Sequence, residues 1–361
     1  MPTPLPSSRQ RVRFAQEGRP MSAEKLNWGV LGCGNFTRRR ILPAVAASGN
    51  ARVVALQRRR LEDAQATARE AGVPRAYATR EELLADQDVQ AVFVGSHHAG
   101  HLADVLAAAA AGKPVLCEKP LGMNADECRR MVAACEAAGV KLFVGHCGRY
   151  KHAIETARQQ LAEGTLGELR GMRVCYGNKA KTGVWRRDCR VSGGGPLLDL
   201  GPHVIDAVRY ISGQDVATVM ATVDPQRDFR TGQCEDRARA ILRLTGGAPV
   251  SVECSAIEPL RNGFEVHGSK AHLVGHYVLS NMESPVVRME RLTGDPDPIV
   301  STPLPIEPRE IYRLQIEDVS RALLDPRHSP RCATGADGVA TLRIIDAIYA
   351  SSELSKAVAL G

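Results

Sequence analysis

Aromatic residues are scarce, making up 4% of the 361-residue chain. A surface that stacks single-stranded nucleic acid needs many of them, so that partner is set aside. No run of eighteen or more apolar residues occurs, which excludes a membrane-spanning helix. The ten cysteines contain no Cys-x-x-Cys pair, so neither a zinc ribbon nor a dithiol redox pair is indicated. Cys128 and Cys135 fall on one expected helix and read as core thiols, and a reducing, cytoplasmic setting suits them. The net charge of +7 comes from arginines spread along the chain rather than from a dense basic block. It suits an anionic ligand such as a phosphate-bearing cofactor better than DNA or RNA. Residues 1–25 are polar, contain Pro and Arg, and lack the apolar segment of a signal peptide. They read as a disordered extension, with Met21 a candidate start.

An apolar content of 44% over this length supports a large core and two domains. The expected division is a dinucleotide-binding unit over 26–147 and a substrate-binding and oligomerisation unit over 148–361. The run from Trp28 to Leu31 has the character of a buried strand. Gly32-Cys33-Gly34-Asn35-Phe36-Thr37 follows, and then a helical pattern with Phe36, Ile41, Leu42 and Val45 as its apolar stripe. A strand that turns through glycines into a helix aims backbone N–H groups and the positive helix end at one point, the geometry that cradles a pyrophosphate. The fingerprint is partial, because Thr37 stands where a third Gly or Ala is expected; an ordinary tight turn is the alternative. The second strand, 51–57, ends in Gln57 where an NAD site would carry a ribose-reading acid, and Arg58, Arg59 and Arg60 follow. A guanidinium fork suits a phosphate where a carboxylate would repel it, which points to NADP(H) over NAD(H). The alternative is a solvated helix start.

Strand–helix alternation continues through 89–94, an alanine-rich helix, 113–117, a helix over 124–138 and 140–144, implying a parallel, doubly wound sheet. Ser96, His97, His98 and His101 occupy a strand-end loop. With no Cys or carboxylate nearby to complete a metal set, cofactor contact is the expectation and no metal is assigned. Glu118-Lys119-Pro120 ends the next strand, and Pro120 holds Lys119 extended over the same crevice. Beyond Gly148-Arg149-Tyr150 the pattern changes to a helix, a strand over 168–176 and a basic loop with Trp185-Arg186-Arg187. Gly193-Gly194-Gly195 then lead into an amphipathic helix. Leu197, Leu198, Leu200, Val204, Ile205, Val208 and Ile211 mark one side, and Asp199, His203, Asp206 and Tyr210 the other. The wet side of a helix is the plain reading. A glycine run that lets backbone approach a ligand, and an Asp one turn from a His, favour an acid–base site. Successive strands over 216–223, 237–245, 249–257, 262–268 and 271–275 predict a mostly antiparallel sheet. Helices near 309–324 and 336–357 complete an α/β chain.

Four marks carry a resemblance. They are Gly32-x-Gly34, Glu118-Lys119-Pro120, the Gly193-Gly194-Gly195-x-Leu-Leu-Asp199-x-Gly-x-His203-x-x-Asp206 run, and Asp337-Gly338. Over roughly 26–357 the chain resembles the glucose–fructose oxidoreductase / inositol dehydrogenase (Gfo/Idh/MocA) family. Trp185-Arg186 and Glu265-Val-His-Gly268 look most like its NADP-dependent 1,5-anhydrofructose reductase branch. The resemblance implies a Rossmann domain followed by an α+β domain whose large, open, mostly antiparallel sheet serves as a homo-oligomer face (dimer or tetramer). It implies hydride transfer on a sugar-like small molecule, with Lys119, Asp199 and His203 catalytic. His203 would exchange the hydroxyl proton, Asp199 would orient the ring and favour its protonated form, and Lys119 would supply charge. Cofactor contacts would come from Gly32 to Thr37, Arg58, Arg59, Ser96, His97, His98, His101, Glu118, Lys119, Trp185 and Arg186. Arg149 and Tyr312 would join Asp199 and His203 on the substrate side. Ser96-His97-His98 replaces the family's usual Thr-Pro-Asn type of loop, and Thr37 and Pro202 are smaller departures. Two other readings stay open: an NAD(P)-dependent glycosidase working by transient oxidation, and a non-catalytic nucleotide- or sugar-binding regulator.

Overall fold

The computed structural model describes residues 25–179, 185–279, 288–293 and 300–361. The expected extension lies outside them except for Lys25. Short apolar runs build the first sheet: β1 (Leu26–Leu31), β2 (Ala51–Gln57), β3 (Arg75–Tyr77), β4 (Ala91–Val94), β5 (Val115–Cys117) and β6 (Leu142–Val144). These pair in parallel, in the order β6-β5-β4-β1-β2-β3. Every residue of β4 is buried, as both faces of a parallel sheet must be when helices cover them. One covering helix, Arg80–Ala85, starts on a capping box between Thr79 and Glu82.

The second sheet comprises β7 (Leu169–Gly177), β8 (Val216–Asp224), β9 (Arg237–Leu244), β10 (Pro249–Ser255), β11 (Gly263–Gly268), β12 (His272–His276), β13 (Arg288–Thr293) and β14 (Val300–Leu304). Its order is β14-β13-β12-β11-β7-β10-β9-β8, and all its neighbours are antiparallel except β7 and β10. Alternation is plain along β9. Ala238, Ala240, Leu242 and Leu244 are buried under the helices Gly201–Ser212 and Gly335–Leu354, while Arg239, Ile241 and Arg243 are exposed on the open face.

The division at 147/148 needs a correction in the last third of the chain. The helix Ile311–Leu324 packs on the first sheet: Ile316, Val319 and Ala322 share a core with Trp28, Val30 and Leu56. The Trp28 indole N–H donates to Ser320 Oγ at 3.0 Å. β15 (Ala333–Thr334) then adds antiparallel to β6. The last helix starts from a capping box between Thr334 and Asp337, and β16 (Val358–Ala359) pairs with β8. Residues 311–334 thus belong structurally to the first unit, and this return fixes the two sheets relative to each other.

Candidate active site

A cleft of about 1840 Å³ opens at the C-terminal ends of the first sheet's strands. Gly32 follows β1, Arg58 follows β2, Gly95 follows β4, Glu118 follows β5, and all of them line it. The opposite wall comes from the second unit, with Tyr176, Asn178, Trp185, Asp199 and His203. The position is the crevice where open α/β sheets bind ligands, and the volume exceeds that of an ordinary small-molecule pocket of ~300–1,000 Å³.

The glycine turn fits a dinucleotide. Gly32 has φ +67°, and a Cβ there would lie 2.5 Å from the backbone of Ser96, so only glycine lets the two strand-end loops meet. A Cβ on Gly34 would meet nothing closer than Gly32 O at 3.9 Å, leaving room at the mouth of the cleft. Cys33, Asn35 and Phe36 line the same mouth. Thr37 is fully buried, and its departure from the fingerprint has a local compensation: a Cβ on Gly95 would stand 2.6 Å from Thr37 Oγ1. The helix–strand approach that a third glycine allows is thus supplied by Gly95 across the gap. Gln57 is committed to the fold, accepting from Gly32 N at 3.2 Å and donating to Ala78 O at 2.8 Å. Arg58 donates to Thr67 Oγ1 at 2.7 Å while lining the cleft beside Arg59, Arg60 and Arg40.

The histidine loop is corrected in part. His98 already begins the helix His98–Ala110, and both His98 and His101 are buried. His98 Nδ1 lies 2.8 Å from Ser192 O, tying the first unit to the second. His101 sits 2.9 Å from Pro120 O and 3.1 Å from Ser96 O, bracing the Lys119 turn against the neighbouring loop. These rings brace the backbone while also lining the cleft. Burial pushes the His98 imidazole down to about 3, so it is neutral. Ser96 donates to Asp104 at 2.7 Å. His97 remains available: its ring packs 4.5 Å from that of Trp185, over which Arg186 also stacks at 4.5 Å. Among the described residues, no three His, Cys, Asp or Glu side chains are placed to hold a metal ion.

Lys119 and Asp199 meet, but not as expected. Lys119 Nζ donates to Asp199 O at 2.6 Å and to Oδ1 at 3.3 Å, and Arg186 Nε reaches the same Oδ1 at 3.3 Å. Burial opposes ionisation of this carboxyl, yet the charges of Lys119 and Arg186 outweigh it and hold Asp199 well below its ordinary value. Asp199 ends the short helix Pro196–Asp199 and His203 lies on the next helix, Gly201–Ser212, so the single turn read from their spacing is broken at Leu200. Asp199 therefore anchors Lys119; among the described residues no hydrogen bond joins it to His203. The His203 ring faces Tyr176, with centroids 5.8 Å apart. Burial, then the charges of Lys119, His146 and Lys151, push its imidazole well below the ordinary value, and Asp199 only partly opposes them. The imidazole is thus held neutral, not in the protonated form expected from the resemblance. Glu118 accepts from the Lys119 backbone N–H at 3.2 Å, and burial raises its carboxyl to about 7.

Three further expectations change. Arg149 does not line the cleft: its Nη2 donates to Asp206 Oδ1 at 2.6 Å, and its Nη1 to Asp337 at 3.3 Å, in a buried cluster. Asp206 is accordingly buried rather than on a wet face. The glycine run serves packing: a Cβ on Gly194 would lie 2.2 Å from the Tyr349 hydroxyl, and one on Gly195 equally close to Glu235 O at 2.2 Å. Tyr312 does reach the cleft, with its ring 5.5 Å from that of Phe36 and its hydroxyl bonded to Cys147. Sequence reasoning missed Tyr176, Asn178, Cys147 and Arg40 as lining residues, since each depends on how the second unit or a neighbouring turn closes over the strand ends.

No helix among the described residues is long and apolar enough to cross a membrane. Residues 26–146 match the oxidoreductase family with an NAD-binding Rossmann fold, and residues 154–274 match the GFO/IDH/MocA C-terminal domain. The chain is 31% identical over 318 residues to 1,5-anhydro-D-fructose reductase of Ensifer adhaerens, covering 87% of this chain and 92% of that protein. It is 37% identical over 250 residues to trans-1,2-dihydrobenzene-1,2-diol dehydrogenase of Bos taurus, covering 68% and 72% of the two. An aldose-aldose oxidoreductase from Caulobacter crescentus, solved with glycerol, superposes with a TM-score of 0.84 at 28% identity, covering 93% of this chain and all of that one. With the cleft, the glycine turn and these matches in agreement, the chain belongs to the GFO/IDH/MocA family of NAD(P)-dependent oxidoreductases.

Proposed function

We propose that this enzyme catalyses reversible hydride transfer between NADP(H) and a carbinol or carbonyl carbon of a sugar, polyol or related cyclic diol. The observation that carries the reading is that Lys119 and His203 line one cleft together with the glycine turn. The bound cofactor would supply the hydride acceptor or donor, with its pyrophosphate on the Gly32–Thr37 turn and Arg58 and Arg59 beside the adenosine ribose. In oxidation, neutral His203 accepts the hydroxyl proton, and in reduction the imidazolium returns it. Lys119, fixed by the carbonyl and carboxylate of Asp199, places its side-chain nitrogen where an alkoxide develops. Asp199 is thus a positioning residue for Lys119. Tyr176 and Trp185 offer flat apolar faces to the substrate end, and Asn178 a polar group. The reductase acting on 1,5-anhydro-D-fructose and the dehydrogenase acting on a cyclic trans-1,2-diol support a ring carrying adjacent oxygens as the substrate.

The test is a panel of polyols, aldoses, ketosugars and cyclic diols, read by NADPH absorbance with both cofactors. Turnover with at least one ring diol or its ketone, and preference for NADP(H), is expected. Arg58→Asp should reverse that preference; an unchanged preference would refute the arginine assignment. A second copy of the chain is assigned to the open face of the second sheet, where Met220 and Ile241 are exposed. Sedimentation of Met220→Asp/Ile241→Asp should then show dissociation, and an unaltered mass would refute that face.

A further inference from the structure

The Glu265-Val266-His267-Gly268 segment serves no part of the cleft. It ends β11, and β12 returns with His272 directly opposite His267 in register. Strand alternation puts Glu265 and His267 on one face, the open side of the second sheet. The two histidine Nδ1 atoms lie 3.2 Å apart, with the rings inclined at 64°. The other nitrogen of His267, Nε2, lies 3.5 Å from Glu265 Oε2. The turn between the strands is pinned from below. Ser269 N donates to Glu168 O and Lys270 N to Leu166 O, each at 2.9 Å, and Ser269 Oγ accepts from Glu168 N at 2.9 Å. A Cβ on Gly268 would come within 2.0 Å of Leu166 O, so only glycine permits this approach. The hairpin end is therefore held in place, and the spacing of the two imidazoles with it.

The two Nδ1 atoms share a hydrogen bond in which one ring carries the proton, and an ion displacing that proton would find the two nitrogens already spaced at a tetrahedral bite. With metal–nitrogen bonds of about 2.0–2.1 Å, two ligands of such an ion stand about 3.3 Å apart. A carboxylate behind the distal ring nitrogen is the usual support for a ligating histidine, fixing its tautomer and ring orientation. We propose that His267 and His272 form a two-imidazole site for a divalent transition ion of the Zn²⁺ class, with Glu265 orienting His267. Imidazole donors favour Zn²⁺, Ni²⁺ and Cu²⁺ over Mg²⁺ and Ca²⁺. The His267 side chain is 41% exposed and His272 is exposed in the single chain, and the pair lies at the hairpin end of β11 and β12, three strands from Ile241 on β9, so an ion reaches it from solvent beside the face assigned to a second copy. Neither histidine lines the cleft, so the site is separate from hydride transfer.

The experiment is titration of the full chain, free of any polyhistidine tag, with Zn²⁺ against a chromophoric chelator. Wild type should show one Zn²⁺ equivalent that both His267→Gln and His272→Gln lose. Glu265→Gln should keep the site but weaken it about tenfold. With Cu²⁺ as the probe, electron paramagnetic resonance should report two coupled nitrogens in wild type and one in His272→Gln. Turnover of each variant in metal-free buffer should equal that of wild type, which shows that the protein is folded. Equal Zn²⁺ stoichiometry and affinity in wild type and both histidine variants would overturn the proposal and leave the pair as a cross-strand hydrogen bond.

Discussion

Glu118 sets a pH dependence that can be isolated from every other titration in the chain. The residue is 8% exposed, and burial raises its carboxyl from 4.5 to about 7, with Lys119 pulling the other way. Between those two values the unfolded chain has lost the proton and the folded chain still holds it. The folded state therefore binds more protons in that window, and this group's contribution to stability falls as pH rises through it. At 1.36 kcal/mol per pH unit, the loss amounts to about 3 kcal/mol across the window. The buried histidines act oppositely: His98, His101, His146 and His203 are all held below their ordinary value and lose stability as pH falls. A plain stability curve would mix the two effects. The difference between Glu118→Gln and wild type removes the histidines, because both proteins carry them. Urea unfolding of the two apo proteins at intervals from pH 4 to pH 8 is the assay. The glutamine variant should gain on wild type by about 3 kcal/mol from the acid end to the neutral end, with the change centred between 4.5 and 7. A difference that stays flat over the whole range would refute the assignment of burial as the dominant influence on Glu118.

Other outcomes follow from the same geometry. Arg149→Met strands the carboxylate of Asp206, 5% exposed, and should cost about 3–5 kcal/mol in denaturant unfolding; a loss below 1 kcal/mol would contradict the buried pair. Gly195→Ala drives a methyl against Glu235 O, 2.2 Å away, and should destabilise by about 1–3 kcal/mol. Trp28 is fully buried in the core and Trp185 lines the cleft, so Trp185→Phe should remove most of the fluorescence quenching caused by NADPH. Because His203 must be neutral to accept a proton and its imidazole is pushed down, the acid limb of kcat/KM for oxidation should fall below pH 6.5. A limb above that value would mean a different base.

Much of the fold was legible because burial leaves a periodic trace. Continuous apolar runs such as Ala91–Val94 announce a parallel sheet, and the alternation along Arg237–Leu244 announces a half-open one. The site was legible where chemistry is local: the glycine turn, the lysine at a strand end, and the histidine on an amphipathic helix meet in one cleft. What failed was the choice of partner. Periodicity says that Ile316 and Val319 are covered, but not that Trp28 and Val30 of the first sheet cover them, nearly three hundred residues away. Asp199 and Asp206 are both acids in the same region, yet one meets Lys119 and the other Arg149. The triple glycine signals close approach, and only the fold reveals that Tyr349 and Glu235 are what approaches. The histidine trio reads as a ligand loop and does line the cleft, but only the fold reveals that His98 also meets Ser192 O and that His101 bridges the carbonyls of Pro120 and Ser96.

The central claim is that a helix of the second unit delivers the His203 imidazole to the reacting carbon in a cleft built by the first. Single-turnover hydride transfer in His203→Ala, at saturating NADPH and with NADPH affinity measured alongside, tests it most directly. The account predicts a rate about 10²–10⁴-fold below wild type with cofactor affinity unchanged. A wild-type rate, or a loss that merely follows weakened cofactor binding, would contradict it.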